Sequence, residues 1–170
     1  MKPESAEKLD VLVLAGSPSD LSQLERMQKM LGDLGLIYRI RISSAHRTPE
    51  RTVDLIRVAE EQGAEVFICA AGMAAHLAGA VAAHTLRPVL GVPLPGGVLD
   101  GVDALLSTVQ MPSGIPVATF AVGKAGAVNA AVFAAQILAL KRPDIRQKLR
   151  ELRIEAACAL EARDTEIQEP

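Results

Sequence analysis

The sequence predicts an α/β fold built on a doubly wound parallel sheet, and three observations predict it. Short apolar runs alternate with stretches of helical period from about Val11 to Leu140. Several of these runs are apolar throughout, as strands covered on both faces must be. The breaks between each run and the next helix carry Gly, Pro, Ser and Asp, the residues of turns and helix starts. Such alternation argues for βαβ units, whose right-handed connections bring every strand-to-helix loop out on one edge of the sheet.

Val11 to Ala15 reads as the first strand. Leu24, Met27, Leu31 and Leu34 then recur at helical spacing, with Asp20 as N-cap and Gly35 as the stop. Ile37 to Ile42 alternates apolar and polar residues, which suits a strand open on one face and near an edge. Thr48, Pro49 and Glu50 supply a cap, a first-turn proline and an early acid for a helix that Gly63 closes. Val66 to Ala70 is the third strand, followed by a small-residue loop and a helix over Ala74 to His84. Pro88 to Val92 is the fourth, with a Pro/Gly-rich loop at Pro93 to Gly97. A short helix over Val102 to Val109, a turn at Met111 to Gly114 and a fifth strand over Val117 to Val122 follow. The helix Ala127 to Leu140 is apolar nearly all round, so the sequence predicts that neighbouring subunits help to cover it. A charged helix runs from Asp144 to about Arg163, and the last residues are expected to fray. The chain thus divides into a domain over 10–141 and a C-terminal helix and tail over 142–170.

Composition narrows the function. The 170 residues are 49% hydrophobic but only 2% aromatic, with no Trp, so the core is aliphatic and rich in Ala. A formal net charge of -2 gives no basic footprint for nucleic acid or an anionic membrane. No apolar run reaches the roughly 18 residues of a membrane span. The opening MKPESAEKLD has no apolar core of a secretory signal. Cys69 sits in an apolar strand and Cys158 in a charged helix, without CxxC spacing, so a reducing cytoplasm is the expected location.

The loops on the predicted ligand edge carry the chemistry. In SSAHRTP, Ser43 to Pro49, Arg47 offers a planar fork for phosphate, and His46 carries an imidazole, the side chain that titrates near neutrality. Ser44 and Ala45 lie beside them. In GSPSD, Gly16 permits a tight turn, and Ser17, Ser19 and the helix-start amides can bond a phosphate, with Asp20 free to accept from sugar hydroxyls. The plainer reading of both segments is helix capping by Ser19, Asp20 and Thr48, with Arg47 solvated. In Ala70 to Gly79, small residues such as Gly72 let backbone approach a flat ligand. His76 either touches that ligand or serves as a structural residue at a helix start, and His84 sits at a helix end. PLPGG and the Met111 to Gly114 turn shape and seal the pocket, and Lys124 in GKAG can reach an anion from the fifth loop. The three histidines show no zinc-ligand spacing, so no metal is expected. No Ser-His-Asp order or Cys-His pairing marks a nucleophile.

Taken together, GSPSD, SSAHRTP, AAHL, VQMPSGIPVAT and GKAG..NAA resemble the PurE family of purine biosynthesis over about Val11 to Leu140. The VQMPSGIPVAT segment is similar to the class I form, an N5-carboxyaminoimidazole ribonucleotide mutase. The resemblance implies a three-layer αβα flavodoxin-like fold with a C-terminal helix packed on a neighbour, and a homo-octamer. It implies a ribonucleotide substrate, with Ser17, Asp20 and Arg47 at the ribose phosphate and His46 as general acid/base. The Ser44 and Ala45 backbone would lie beside His46, while Gly72, His76 and Leu77 would surround the base and the migrating carboxylate. It implies no cofactor. Three features depart from the family pattern: Met73 stands where Gly is usual, Ala78 where Pro is usual, and PLPGG lacks the usual Ser. Two other readings are a carboxylase that uses free CO2 and a non-catalytic binding protein for FMN or another phosphate ligand. The shortage of aromatics for stacking argues against FMN. A third is a relative that acts on another carboxylated heterocycle.

Overall fold

The structure is a computed structural model and describes residues 8–168. Its strands are β1 (Val11–Ala15), β2 (Tyr38–Ile42), β3 (Val66–Ala71), β4 (Val89–Pro93) and β5 (Ala118–Thr119). Its helices are α1 (Leu21–Asp33), α2 (Pro49–Glu61), α3 (Leu77–Ala82), α4 (Val102–Val109), α5 (Lys124–Ala139) and α6 (Pro143–Gln168), with one 3-10 turn at Pro18–Asp20. The five strands form one parallel sheet in the order β2-β1-β3-β4-β5. This is the flavodoxin-like order, and β1 and β3 flank the point where the winding reverses.

Alternate residues of β1 show how the layers form. Val11, Val13 and Ala15 join Leu24, Met27 and Leu31 of α1 and Ala130 and Ala134 of α5 on one face. Leu12 and Leu14 join Ile56 and Ala59 of α2 and Leu77 and Val81 of α3 on the other. A strand with period two and two covered faces needs apolar residues at every position, which is the pattern VLVLA supplies. Gly35 and Gly63 end α1 and α2 with φ of +74° and +96°, a region open to Gly at no steric cost.

Several elements differ from the sequence reading. Helix α3 begins at Leu77 rather than Ala74, because the Ala75 and His76 amides donate to the Met73 and Ala74 carbonyls at 2.8 and 2.7 Å. Strand β5 keeps only Ala118 and Thr119 of the six residues expected. Phe120 N still donates to Gly91 O at 2.9 Å, but the chain then folds straight into α5. That fold is tight: a Cβ on Gly126 would stand 1.6 Å from Ala121 O. Helix α5 accordingly starts at Lys124, and its cover comes largely from within the chain. Helix α1, the sheet and α6 pack on it and bury Ala127, Ala130, Ala131, Ala134, Ala135 and Leu138. Of its large apolar residues Phe133 is the exposed one, at 40%. The fraying expected of Glu169 and Pro170 lies outside the described residues.

One carboxylate ties the end of the sheet remote from the strand-to-helix loops. Asp10 is 1% exposed. Its Oδ2 accepts from Ile37 N at 2.9 Å, its Oδ1 accepts from Arg142 Nη1 at 2.9 Å, and its carbonyl accepts from Glu65 N at 3.0 Å. The entries to β1, β2 and β3 and the start of α6 therefore converge on one residue. Removing one partner of a buried ion pair leaves the other charge without compensation. We expect Arg142→Ala to cost about 3 kcal/mol of stability, measured as a lower urea midpoint; an unchanged midpoint rejects this role for the pair.

Candidate active site

The reversal between β1 and β3 opens a crevice at their carboxyl ends, since the helices that follow them leave on opposite faces. A cleft of about 650 Å³ occupies it. Its walls are the loops after β1, β2, β3 and β4. Ser17, Ser19, Asp20, Ser44, Ala45, His46, Arg47, Gly72, His76 and Leu77 all line it, whereas Lys124 and the Met111 to Gly114 turn do not.

The β1 loop turns at Gly16, whose amide donates to Ala70 O at 3.0 Å. Ser17 N donates to Asp20 Oδ2 at 2.9 Å, and the Ser17 and Ser19 hydroxyls lie 2.9 Å apart. Asp20 therefore does not cap α1 with its side chain, as the sequence reading had it; it reaches back and closes the 3-10 turn on Ser17. Burial pushes the Asp20 carboxyl above its ordinary value, against the lowering effect of the Ser17 and Gly16 amides and the Arg47 charge.

A ladder of hydroxyls holds the β2 loop. Ser43 is 2% exposed, and its Oγ lies 2.8 Å from Thr52 Oγ1, which itself donates to Thr48 O at 3.2 Å. Thr48 also departs from its expected capping role. It holds the N-cap position of α2, but its Oγ1 accepts from Ser44 N and donates to Ser44 O, both at 3.1 Å, so the side chain closes the loop rather than capping the helix. His46 and Arg47 stand exposed on this braced turn. Arg47 Nη2 donates to Gly16 O at 3.2 Å, which places the guanidinium across the β1 loop. Ser43, Thr48 and Thr52 act as supports that motif reading passes over; their signal in sequence is the four-residue spacing of the two threonines on one helical face.

The β3 loop carries Gly72, Met73, Ala74 and His76. The His76 ring lies over the first turn of α3, and a Cβ on Gly79 would stand 2.5 Å from its Cε1. Leu77 is buried beneath, while Pro95, Gly96 and Gly97 supply the fourth wall, as expected of PLPGG. The fifth loop does not reach the cleft. Strand β5 is the sheet edge and α5 begins at once, so Lys124 is exposed on the first helical turn. Gly123 instead backs Pro95. His84 lies just past α3 and lines a second cavity of about 1230 Å³ at the opposite end of the sheet, with Glu60, Arg87, Ile115 and Phe133. Cys69 is fully buried in β3 and burial pushes its thiol upward, so it stays protonated and inert. Among the described residues no group of three or more His, Cys, Asp or Glu gathers as a metal centre.

The family model described as AIR carboxylase matches residues 10–158 of this chain. The chain belongs to the AIR carboxylase family. This is the PurE family that the motifs resemble. An AIR carboxylase family relative from Pseudomonas aeruginosa, named N5-carboxyaminoimidazole ribonucleotide mutase, is 52% identical over 141 residues, covering 83% of this chain and 86% of its own length. The Escherichia coli protein of the same name is 48% identical over 143 residues, 84% and 85% of the two chains. A Pyrococcus abyssi protein of that name is 51% identical over 141 residues, 83% and 80%. The crystal structure of Treponema denticola PurE is similar over 94% of this chain and 98% of that one, with a TM-score of 0.85 at 29% identity.

The raised Asp20 carboxyl has a pH consequence. Ionising it in the folded protein is harder than in the unfolded chain, so its stabilising contribution is complete below the ordinary value of 3.8 and is lost as pH rises through the raised value. Asp20→Asn is expected to match the parent's thermal midpoint in acid and to gain on it as pH rises through that range. A difference that does not vary with pH rejects the assignment.

Proposed function

We propose that this chain is an N5-carboxyaminoimidazole ribonucleotide mutase, an isomerase of purine biosynthesis that moves a carboxylate from the exocyclic N5 to C4 of the ribonucleotide. The observation that carries the reading is the gathering, in one cleft at the sheet reversal, of the hydroxyls of Ser17 and Ser19 with the adjoining imidazole and guanidinium of His46 and Arg47, in a chain about half identical to proteins of that name.

In this reading Ser17, Ser19 and the loop amides receive the phosphate with Arg47, and Asp20 accepts from the ribose hydroxyls. Arg47 is suited to this because it already spans the β1 and β2 loops, so little ordering remains when the anion arrives. The Ser44 and Ala45 backbone lies beside the catalytic imidazole. Gly72, His76 and Leu77 enclose the base and the migrating group.

The reaction exchanges one C–N bond for one C–C bond and consumes no co-reactant. The N5–carboxylate bond breaks, its electron pair returns to nitrogen, and CO2 stays in the pocket. His46 gives nitrogen a proton. The electron-rich C4 attacks CO2, and His46 takes the proton that C4 then sheds, which returns the imidazole to its starting state. Imidazole suits both steps because it can hold or release a proton near neutral pH. Excluding water protects the CO2 intermediate.

Assembly belongs to the same reading. Residues 10–141 form the catalytic domain, and 142–170 form a helix and tail that pack on a neighbouring subunit of a cytoplasmic homo-octamer. Ile145 is buried on its own domain, but farther along α6 Ile154, Leu160 and Ile167 are 61%, 73% and 82% exposed. Light scattering on the purified protein should read eight chain masses; a monomer or dimer at micromolar concentration rejects the octamer.

The second reading, a carboxylase using free CO2, is favoured by the family model's own description. Two parallel assays without ATP separate them. Efficient 4-carboxyaminoimidazole ribonucleotide from the N5-carboxylated substrate alone supports the mutase. Efficient product from the uncarboxylated ribonucleotide and bicarbonate supports the carboxylase, and silence in both rejects each. His46→Asn should lower kcat at least about a hundredfold with KM nearly unchanged. Arg47→Ala should raise KM at least about tenfold, as expected on losing a charge-assisted phosphate contact. Retained turnover in the first variant, or unchanged affinity in the second, removes that residue from its role.

A further inference from the structure

We propose that Met73 is a specificity-determining latch, which joins the β3 loop to the β4 loop at the cleft mouth and keeps CO2 from escaping between its release and its capture. The retention role rests on the mutase reading; the latch itself rests on geometry alone.

Met73 lines the cleft with φ at +54°, in the left-handed region that a long side chain ordinarily avoids. Strain of that kind persists only where the surroundings hold it, and it clusters at functional sites. Here the Met73 carbonyl accepts from Ala75 N at 2.8 Å. Its side chain meets the facing loop: Met73 Cγ lies 3.1 Å from the place a Cβ on Gly97 would take. Asp103 Oδ2 lies 2.9 Å from that same place, on another element. The thioether arm and the carboxylate therefore close on the same flank of Gly97, which holds φ of +74°.

The grip acts on a distinctive segment. Val98 is 98% exposed and Leu99 56%, an apolar tip with left-handed residues on both sides, Gly96 and Gly97 before it and Asp100 and Gly101 after it. Deeper in, the same two loops are joined by the bond from Leu94 N to Ala71 O at 2.9 Å. Met73 extends that junction from buried backbone to the mouth, where it is itself 62% exposed. CO2 offers an enclosing wall no charge and no proton to bond. An apolar closure that excludes water is the means of holding it, and a flexible thioether fills an irregular gap well.

The step at risk is simple. Once the N5–carboxylate bond has broken and nitrogen has taken its proton, loss of CO2 leaves the uncarboxylated ribonucleotide as a side product. The test compares full-length Met73→Ala, Met73→Gly and Met73→Leu with the parent. Amide hydrogen exchange reads the latch, and the ratio of uncarboxylated to C4-carboxylated product from the N5-carboxylated substrate reads retention. Ala and Gly variants should exchange faster at residues 96–101 with α1 unchanged, and their side-product ratio should rise at least about fivefold. Met73→Leu should stay near the parent in both. Unchanged exchange in the Ala and Gly variants overturns the latch whatever the assay reads. Faster exchange with an unchanged ratio overturns the retention role. A parent protein inactive on the ribonucleotide, with faster exchange in the variants, leaves the latch standing and rejects the mutase reading.

Discussion

A right-twisted strand that feeds a helix can return beside itself on one side only, and that steric preference decides where chemistry can sit in this chain. With every crossover of one hand, the order β2-β1-β3-β4-β5 forces the path to reverse between β1 and β3. Helices then diverge above those two strands, and the gap between them cannot be filled by either. Four loops end at its rim. The cleft is thus a by-product of chirality, and the sequence needs only to place suitable side chains at strand ends that the fold has already gathered.

Those side chains are held mainly by neutral bonds. The Ser43, Thr48 and Thr52 hydroxyls brace the loop that carries His46 and Arg47, with Ser43 and Thr52 both buried. Among the described residues, the ion pairs of Lys29, Arg57, Lys141 and Arg142 all lie away from the cleft. This division is physically sensible. A loop braced by neutral hydrogen bonds leaves its guanidinium and imidazole, among the described residues, without a close ion pair, so an anionic ligand need not break one to bind.

Much of the plan was legible in the residues because it depends on local pattern. Continuous apolar strands, helical spacing and the Gly stops at 35 and 63 located the elements, and handedness placed the loops together. The roles proposed for Ser17, Asp20, Arg47 and His46 rest instead on resemblance of whole motifs, since Ser, Asp and Thr at a helix start read equally well as caps. What stayed hidden depends on distant contacts. The shortness of β5 follows from Ala121 pressed against Gly126, and the late start of α3 from the left-handed turn at Met73. Lys124 missed the cleft for the same reason, because the early start of α5 fixes it at the sheet edge. The Asp20 carboxylate and the Thr48 hydroxyl bond backward along the chain, a choice that propensity does not reveal.

The Asp10–Arg142 pair joins residues 132 positions apart. A ribosome makes the two ends of that contact at different times, on the order of ten seconds apart at the usual pace of elongation. During that interval Asp10 heads the first strand without its cation, and nothing downstream can yet supply one. The nascent chain can wind its early βα units, but the final fastening of their remote end must wait for release of the last helix. Synthesis order therefore gives this protein a late lock, closed by the same long-range pairing that makes non-local folds slow to complete.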